Sequence, residues 1–157
     1  MKFIPQQDRM DCAPACLAML SQHYGKQYNI AYLREISYLS RDGVSLLSIS
    51  EAAKNLGFET FSAKLTIKTL IEEQETLLPC VLHWDQNHFV VLYKITCSFL
   101  KKKLQFHIAD PGFGLIKIDE DTLKKHWLSD DDNGVALFVK PTDTFYEKNP
   151  IKPIKSK

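Results

Sequence analysis

"HFVVLYKITCSFLKKKLQFHIAD", residues 88–110, contains two apolar segments that decide the fold of this chain. The segments 88–95 and 103–110 are rich in β-branched and aromatic residues and are separated by the short segment 96–102, which has polar ends. Two such segments with a short connection predict a β-hairpin. Because the connection is too short for a helical crossover, the two strands are expected to run antiparallel.

The alternation of side chains along this hairpin brings two polar residues together. If the hairpin turns near Phe99, His88 lies directly opposite Asp110. Opposed residues have Cβ atoms about 4.5–5.5 Å apart, so the imidazole of His88 would reach the carboxylate of Asp110. A slip of one residue would put the two side chains on opposite faces and would split the apolar set. The favoured register also gathers six other residues on the same face: Val90, Leu92, Lys94, Leu104, Phe106 and Ile108.

Helical patterns occupy the first part of the chain and strand patterns the rest. Three helices are predicted over 14–24, 29–40 and 45–57, with a turn at Arg41-Asp42-Gly43. Strands are predicted at 58–65, 79–84, 88–95, 103–110, 114–119 and 134–140, with short helices at 66–75 and 121–127. This order predicts an α+β domain in which an N-terminal helical part packs on a mostly antiparallel β-sheet.

One domain accounts for nearly the whole chain of 157 residues. We place this domain at residues 1–142. The remaining segment, 143–157, combines prolines with lysines and has no periodicity, so it is interpreted as a linker or disordered tail.

Composition excludes several classes of function. Twenty basic and nineteen acidic residues give a formal charge of +1, so no global field attracts nucleic acid or an anionic membrane. The N-terminus lacks the apolar core of a secretory signal, and no apolar run approaches the roughly 18 residues of a membrane span. We therefore expect a cytoplasmic, monomeric domain with four free thiols and no cofactor.

Cys12 has three alternative roles: a buried structural thiol, a metal ligand or a nucleophile. It lies in the first turn of the first predicted helix, where the helix dipole favours a thiolate. His88 would then act as acid and base, Asp110 would orient it, and Gln6 with the Cys12 N–H would stabilise an oxyanion. The carboxylate of Asp11 opposes a second negative charge, and we expect it to cap the helix instead.

Structural roles compete with this hypothesis. The first helix is expected to face the core with one apolar stripe, which consists of Ala13, Cys16, Leu17, Leu20 and Tyr24. His88 alone would more often be a core histidine, and Asp110 before a proline often starts a turn. Zinc binding by Cys12 and Cys16 lacks a second ligand pair at customary spacing, so no metal site is predicted.

Three motifs carry a resemblance to a known family. They are Gln6, Asp8 and Asp11-Cys12 followed by Ala13-Pro14-Ala15-Cys16; Asn87-His88-Phe89-Val90-Val91; and Asp110-Pro111-Gly112. In order and spacing they resemble the peptidase domains at the N-terminus of bacterial ABC transporters that mature and export bacteriocins and related peptides. The resemblance covers roughly residues 1–140.

The resemblance implies a papain-like fold and a cysteine peptidase that cuts precursor peptides after a Gly-Gly type leader. It implies that Cys12 is the nucleophile, His88 the acid/base, Asp110 the orienting group and Gln6 the oxyanion donor. The implied partners are the leader peptide and the transmembrane and ATP-binding parts of an exporter, and the implied location is the cytoplasmic face of the bacterial inner membrane.

Two alternatives and one departure accompany this interpretation. The chain would otherwise be a catalytically silent module that docks leader peptides, or a thiol acyltransferase with the same triad. Ala13 stands where the family commonly has glycine, and its methyl group would approach the substrate backbone. Trp84 is a candidate wall of a cleft that admits only small residues, with a role as a core aromatic as the alternative.

Overall fold

The computed structural model describes residues 1–6, 11–37, 45–100 and 102–147. Asp8, the turn at 41–43 and the segment 148–157 lie outside the described residues. The helices are α1 Cys12–His23, α2 Ile30–Ser37, α3 Leu46–Leu56, α4 Ile67–Glu72, α5 Gln74–Leu77, α6 Glu120–Trp127 and α7 Asp143–Glu147. The strands are β1 Phe58–Leu65, β2 Cys80–Trp84, β3 His88–Cys97, β4 Leu104–Asp110, β5 Gly114–Ile118, β6 Leu128–Asp130 and β7 Asn133–Pro141.

All described strands belong to one seven-stranded sheet. Its order is β1-β7-β2-β3-β4-β5, with β6 paired to β7, and every pairing is antiparallel. The last long strand, β7, therefore lies between β1 and β2. The predicted α+β class with a helical N-terminal part is confirmed. Among the described residues, no helix is both long and apolar enough to span a bilayer.

Helices cover both faces of the sheet, which buries its central strand on both sides. Phe89 and Val91 of β3 pack with α1 to α3, whereas Val90 and Leu92 pack with residues of α4 and α6 on the other face. All four side chains are at most 2% exposed. A strand that is buried on both faces has a continuous apolar run in its sequence instead of simple alternation, and the sequence of β3 shows such a run.

Helix α1 is buried all round rather than along one stripe. Residues 12–21 are all buried, because α2 and α3 pack on one side of the helix and β3 on the other. The buried surface of α1 is therefore wider than the single apolar stripe that the sequence predicted. A helix that is apolar on every side is typical of a position inside the core.

The N-terminal caps explain where two other helices start, and a glycine explains where one of them ends. Asn29 Oδ1 accepts the Ala31 N–H at the start of α2, and Ser45 Oγ accepts the Ser48 N–H at the start of α3. Helix α3 ends at Gly57, which has φ +102°. Any Cβ at this glycine would collide with the backbone of Phe145.

The predicted register of the β3–β4 hairpin is wrong. Leu92, rather than Val90, lies opposite Ile108, and Ile95 rather than Leu92 lies opposite Phe106. A bulge between Leu92 and Lys94 shifts the pairing within the strand, so that Ile95 takes the inward position and Lys94 is exposed. The sequence contains no turn or glycine signal for this bulge.

The C-terminal part contains elements that the sequence did not reveal. β6 is three residues long, and α7 lies in the segment interpreted as a tail. Phe145 of α7 is fully buried against Phe58, with ring centroids 4.4 Å apart. Residues 143–147 thus pack on the core, and the further division into domain and linker stays a prediction.

Candidate active site

Helix α1 begins at Cys12, whose side chain lies at the edge of the core. The residue is 4% exposed. The Ala15 N–H donates to the Asp11 carbonyl at 3.1 Å, which forms the first helical turn. Cys12 thus occupies the helix start at which backbone N–H groups and the helix dipole favour negative charge.

Asp11 does not cap α1 with its side chain, contrary to the prediction. Its carboxylate accepts two hydrogen bonds from Arg34 of α2, from Nη2 at 2.6 Å and from Nε at 3.1 Å. The Asp11 side chain is 2% exposed, so a guanidinium held in a forked geometry stabilises its charge inside the protein. The negative charge next to the thiol is therefore matched by a positive one.

His88 begins β3 and lies between a carboxylate and the thiol. Its Nε2–H donates to Asp110 Oδ1 at 2.6 Å, and the Cys12 side chain lies near enough to affect the pKa of the ring. Since Nε2 is engaged by Asp110, Nδ1 is the ring atom left for the thiol. Burial lowers the pKa of His88, but the hydrogen bonds and charges of Asp110 and Cys12 outweigh this effect and raise the pKa to about 9.

Asp110 is held by the turn that follows β4. The Gly112 N–H donates to its Oδ1 at 3.0 Å. Burial raises the pKa of Asp110, but the hydrogen bonds from His88 and Gly112, with the charges of His88 and His126, lower it overall. The carboxylate thus stays ionised, and its hydrogen bond holds the imidazole of His88 in place.

Gln6, in the N-terminal segment, lies against the same turn. Its N–H donates to the Pro111 carbonyl at 2.9 Å. A Cβ placed on Gly112 would lie 3.3 Å from Gln6 Oε1 and 3.7 Å from Asp110 Oδ1, so the glycine permits this close approach. The N-terminal segment is thereby joined to the residues around His88.

The other three cysteines have surroundings that differ from those of Cys12. Cys16 Sγ donates to the Phe89 carbonyl at 3.5 Å, and burial, with the nearby charges of Cys12 and Asp110, raises its pKa well above the usual value. Burial likewise raises the pKa of Cys80. Both therefore stay as thiols, whereas Cys97 is exposed at the end of β3. Within the described parts of the chain, no group of three or more His, Cys, Asp or Glu side chains is arranged to hold a metal ion.

Two residues that the sequence placed near the substrate are buried. Ala13 is fully buried, so its methyl group contributes to the core rather than to an open surface. Trp84 is 4% exposed, and its ring stacks on His126 with centroids 5.0 Å apart. Sequence reasoning missed the role of Arg34, because nothing in a sequence links a charge on one helix to a carboxylate on another.

The four predicted site residues come from three distant parts of the chain. The N-terminal segment contributes Gln6, the start of α1 contributes Cys12, and the joined ends of β3 and β4 contribute His88 and Asp110. A thiol, an imidazole and an oriented carboxylate in this order are the groups required for nucleophilic acyl transfer.

Comparison with known proteins agrees with this chemistry. Relatives include the lactococcin-G-processing and transport ATP-binding protein LagD of Lactococcus lactis subsp. lactis, 36% identical over 89% of this chain and 19% of the relative. Another is the colicin V secretion/processing ATP-binding protein CvaB of Escherichia coli, 34% identical over 90% of this chain and 18% of the relative. The chain thus spans about a fifth of the length of these relatives.

Solved structures share the fold. A double glycine motif protease from an AMS/PCAT transporter, in complex with the leader peptide, has a TM-score of 0.75 and 30% identity, and the match covers 90% of this chain and 91% of that one. The peptidase domain of Streptococcus ComA has a TM-score of 0.75 and 35% identity, with 90% and 98% covered. These matches confirm the predicted papain-like fold. The Peptidase C39 family model matches residues 1–144, and the chain belongs to this family of cysteine peptidases.

Proposed function

We propose that this chain removes leader peptides from precursors of bacteriocins or signal peptides by cutting after a Gly-Gly type site. The observation that carries the proposal is the position of His88, which donates a hydrogen bond to Asp110 and whose pKa is raised by both Asp110 and Cys12. A hydrolytic thiol needs this arrangement, whereas a module that only binds peptides does not. The name of one structural neighbour, a double glycine motif protease in complex with the leader peptide, supports the substrate class.

Each group has one task in the proposed reaction. The imidazolium of His88 stabilises the thiolate of Cys12, which attacks the carbonyl carbon of the second glycine. The oxyanion accepts hydrogen bonds from the Cys12 N–H and from the amide of Gln6. His88 then protonates the leaving amine and later removes a proton from the water that hydrolyses the thioester. Asp110 keeps the imidazole oriented throughout.

We place this activity beside an exporter, at the cytoplasmic face of the bacterial inner membrane. The relatives are named as processing and transport ATP-binding proteins, of which this chain spans about a fifth. Its partners would be the leader peptide and the transmembrane and ATP-binding parts of that exporter.

A cleavage assay tests the reaction. The protein is incubated with a synthetic precursor that contains Gly-Gly, and with one in which both glycines are replaced by leucine, and the products are identified by mass spectrometry. We expect a single cut after the second glycine, no cut in the leucine peptide, and none with Cys12→Ala. Cys16→Ala is the matched control and should keep activity. Binding of the precursor by the wild-type protein without any cut would favour the docking module.

Gln6→Ala tests the oxyanion role. Loss of one oxyanion donor typically lowers kcat by about 10²–10³-fold. Because Gln6 would act on the tetrahedral intermediate, KM should change little. A parallel loss of leader affinity would mean that Gln6 binds the ground state instead.

Labelling with iodoacetamide tests whether the Cys12 thiol is activated. Mass mapping should show rapid modification of Cys12, slower modification of the exposed Cys97, and protection of Cys16 and Cys80. The Cys12 reaction should slow in His88→Ala, while that of Cys97 should stay the same. Equal rates at Cys12 and Cys97 in both proteins would contradict an activated thiol.

A further inference from the structure

The tip of the β3–β4 hairpin carries two adjacent apolar side chains that contact almost nothing. Phe99 is 94% exposed and Leu100 is 91% exposed, the highest values for large apolar residues in the described part of the chain. The loop is closed beneath them. The Ser98 N–H donates to the Lys103 carbonyl at 2.7 Å, and the Lys102 N–H donates to the Ser98 carbonyl at 2.8 Å.

The sequence continues directly into three lysines, Lys101 to Lys103. Of these, Lys102 and Lys103 are described and exposed. The acidic start of α6, Asp119 to Asp121, lines a recess together with these two lysines, and two of its three carboxylates have partners in α6. Asp119 accepts the Thr122 N–H at 2.9 Å and Glu120 pairs with Lys124 at 3.4 Å. The apolar tip thus has an adjacent basic segment.

We propose that this tip, formed by Phe99, Leu100, Lys102 and Lys103, inserts into the interface of a membrane that contains anionic lipid. Phe and Leu side chains gain free energy on leaving water for the acyl boundary, and lysines are attracted to anionic headgroups. A protein partner is disfavoured because two side chains on a narrow loop would bury far less surface than the roughly 800 Å² per partner of a stable interface. A bilayer requires no complementary shape.

The proposed contact would leave the site around His88 accessible. Strand β3 runs from His88 to Cys97, and ten strand residues span about 33 Å at the usual rise. A membrane at the tip would therefore lie at the far end of the strand from the thiol. Such a tip gives weak, reversible attachment, which becomes stable only with a second anchor. The inference concerns binding alone and does not depend on the proposed peptidase reaction.

Vesicle flotation of the full chain tests the proposal. We expect binding to vesicles of phosphatidylcholine with phosphatidylglycerol and much weaker binding to phosphatidylcholine alone. The double variant Phe99→Ser, Leu100→Ser should reduce partitioning by about tenfold or more per residue. Lys102→Gln and Lys103→Gln should each reduce it about fivefold on the anionic vesicles, an effect that salt suppresses.

The control is Leu47→Ser, which removes another exposed apolar side chain (71% exposed) and should leave binding unchanged. Phe99→Trp provides a second measurement, since its emission should shift to the blue when anionic vesicles are added. No binding to either vesicle, the result expected if the tip contacts a protein, would overturn the proposal. Binding that survives Phe99→Ser, Leu100→Ser would overturn it as well.

Discussion

Replacement of Asp110 by asparagine isolates the charge of the His88–Asp110 pair, because the side chain keeps its shape and loses its negative charge. The pKa of His88 is raised above the value near 6.5 expected in the unfolded chain. Between about pH 6.5 and about pH 9, His88 is therefore protonated in the folded state and neutral in the unfolded state. The resulting stability is fully present below about pH 6.5 and is lost as the pH rises through about 9.

The raised pKa of His88 sets the magnitude of this pH-dependent stability. A rise of the pKa from 6.5 to about 9 corresponds to at most about 3.5 kcal/mol, at about 1.4 kcal/mol per pKa unit. The His88 side chain is 22% exposed, which weakens the effect by solvent screening, and Cys12 supplies a part of it. Asp110→Asn should therefore remove about 1–2 kcal/mol of this pH-dependent stability.

Urea unfolding, followed by the fluorescence of the buried Trp84 and Trp127, measures this quantity at about pH 6 and about pH 9. The free energy of unfolding of the wild type should fall more steeply between these values than that of Asp110→Asn. Comparison of the two proteins cancels titrations that they share.

The matched control is Asp85→Asn in the other histidine–carboxylate pair. Asp85 Oδ1 lies 2.7 Å from His126 Nδ1, but the two side chains are 49% and 39% exposed. Exposed pairs add little stability, so this variant should follow the wild type at both pH values within about 0.5 kcal/mol. Equal pH dependence in the wild type and Asp110→Asn would refute the conclusion that the Asp110 carboxylate holds the proton on His88.

Two further substitutions test other contacts. Arg34→Met leaves the Asp11 carboxylate, 2% exposed, without the guanidinium, and should lower the free energy of unfolding by about 2–3 kcal/mol. It should also slow alkylation of Cys12, because a negative charge without its guanidinium disfavours a thiolate nearby. An unchanged free energy of unfolding and an unchanged alkylation rate would mean that the Arg34–Asp11 pair supports neither the fold nor the thiol. Gly134→Ala places a Cβ against the indole of Trp127, 2.7 Å from its Nε1, so we expect a loss of about 1–3 kcal/mol in a denaturant titration. An unchanged midpoint would mean that the indole moves aside freely.

The sequence predicted the positions of the helices and strands well where local signals were strong. Gly57 ends α3 and Asn29 caps α2, as their residue types indicate. Short elements without such signals were missed, as α7 illustrates. Five residues give no periodicity, and only the burial of Phe145 in the folded chain reveals that they pack.

His88 and Asp110 are in contact, as predicted, although the predicted register of the hairpin is wrong. The observed pairing, with Val91 opposite Ala109, differs from the prediction by an even number of residues, so both side chains keep the same relative face. The bulge between Leu92 and Lys94 is marked by no glycine or turn residue, so the local pattern could not predict it. The partner of Asp11 was likewise beyond prediction, since ion pairs between distant elements depend on the folded arrangement.

The central position of β7 has a consequence for synthesis of the domain. This strand, Asn133–Pro141, separates β1 from β2, so the sheet is incomplete until nearly the whole domain has left the ribosome. Cys12 is translated about a hundred residues before the carboxylate that orients its histidine. The proposed activation of Cys12 therefore requires a nearly complete domain, and a nascent or truncated chain lacks the His88–Asp110 pair beside the thiol.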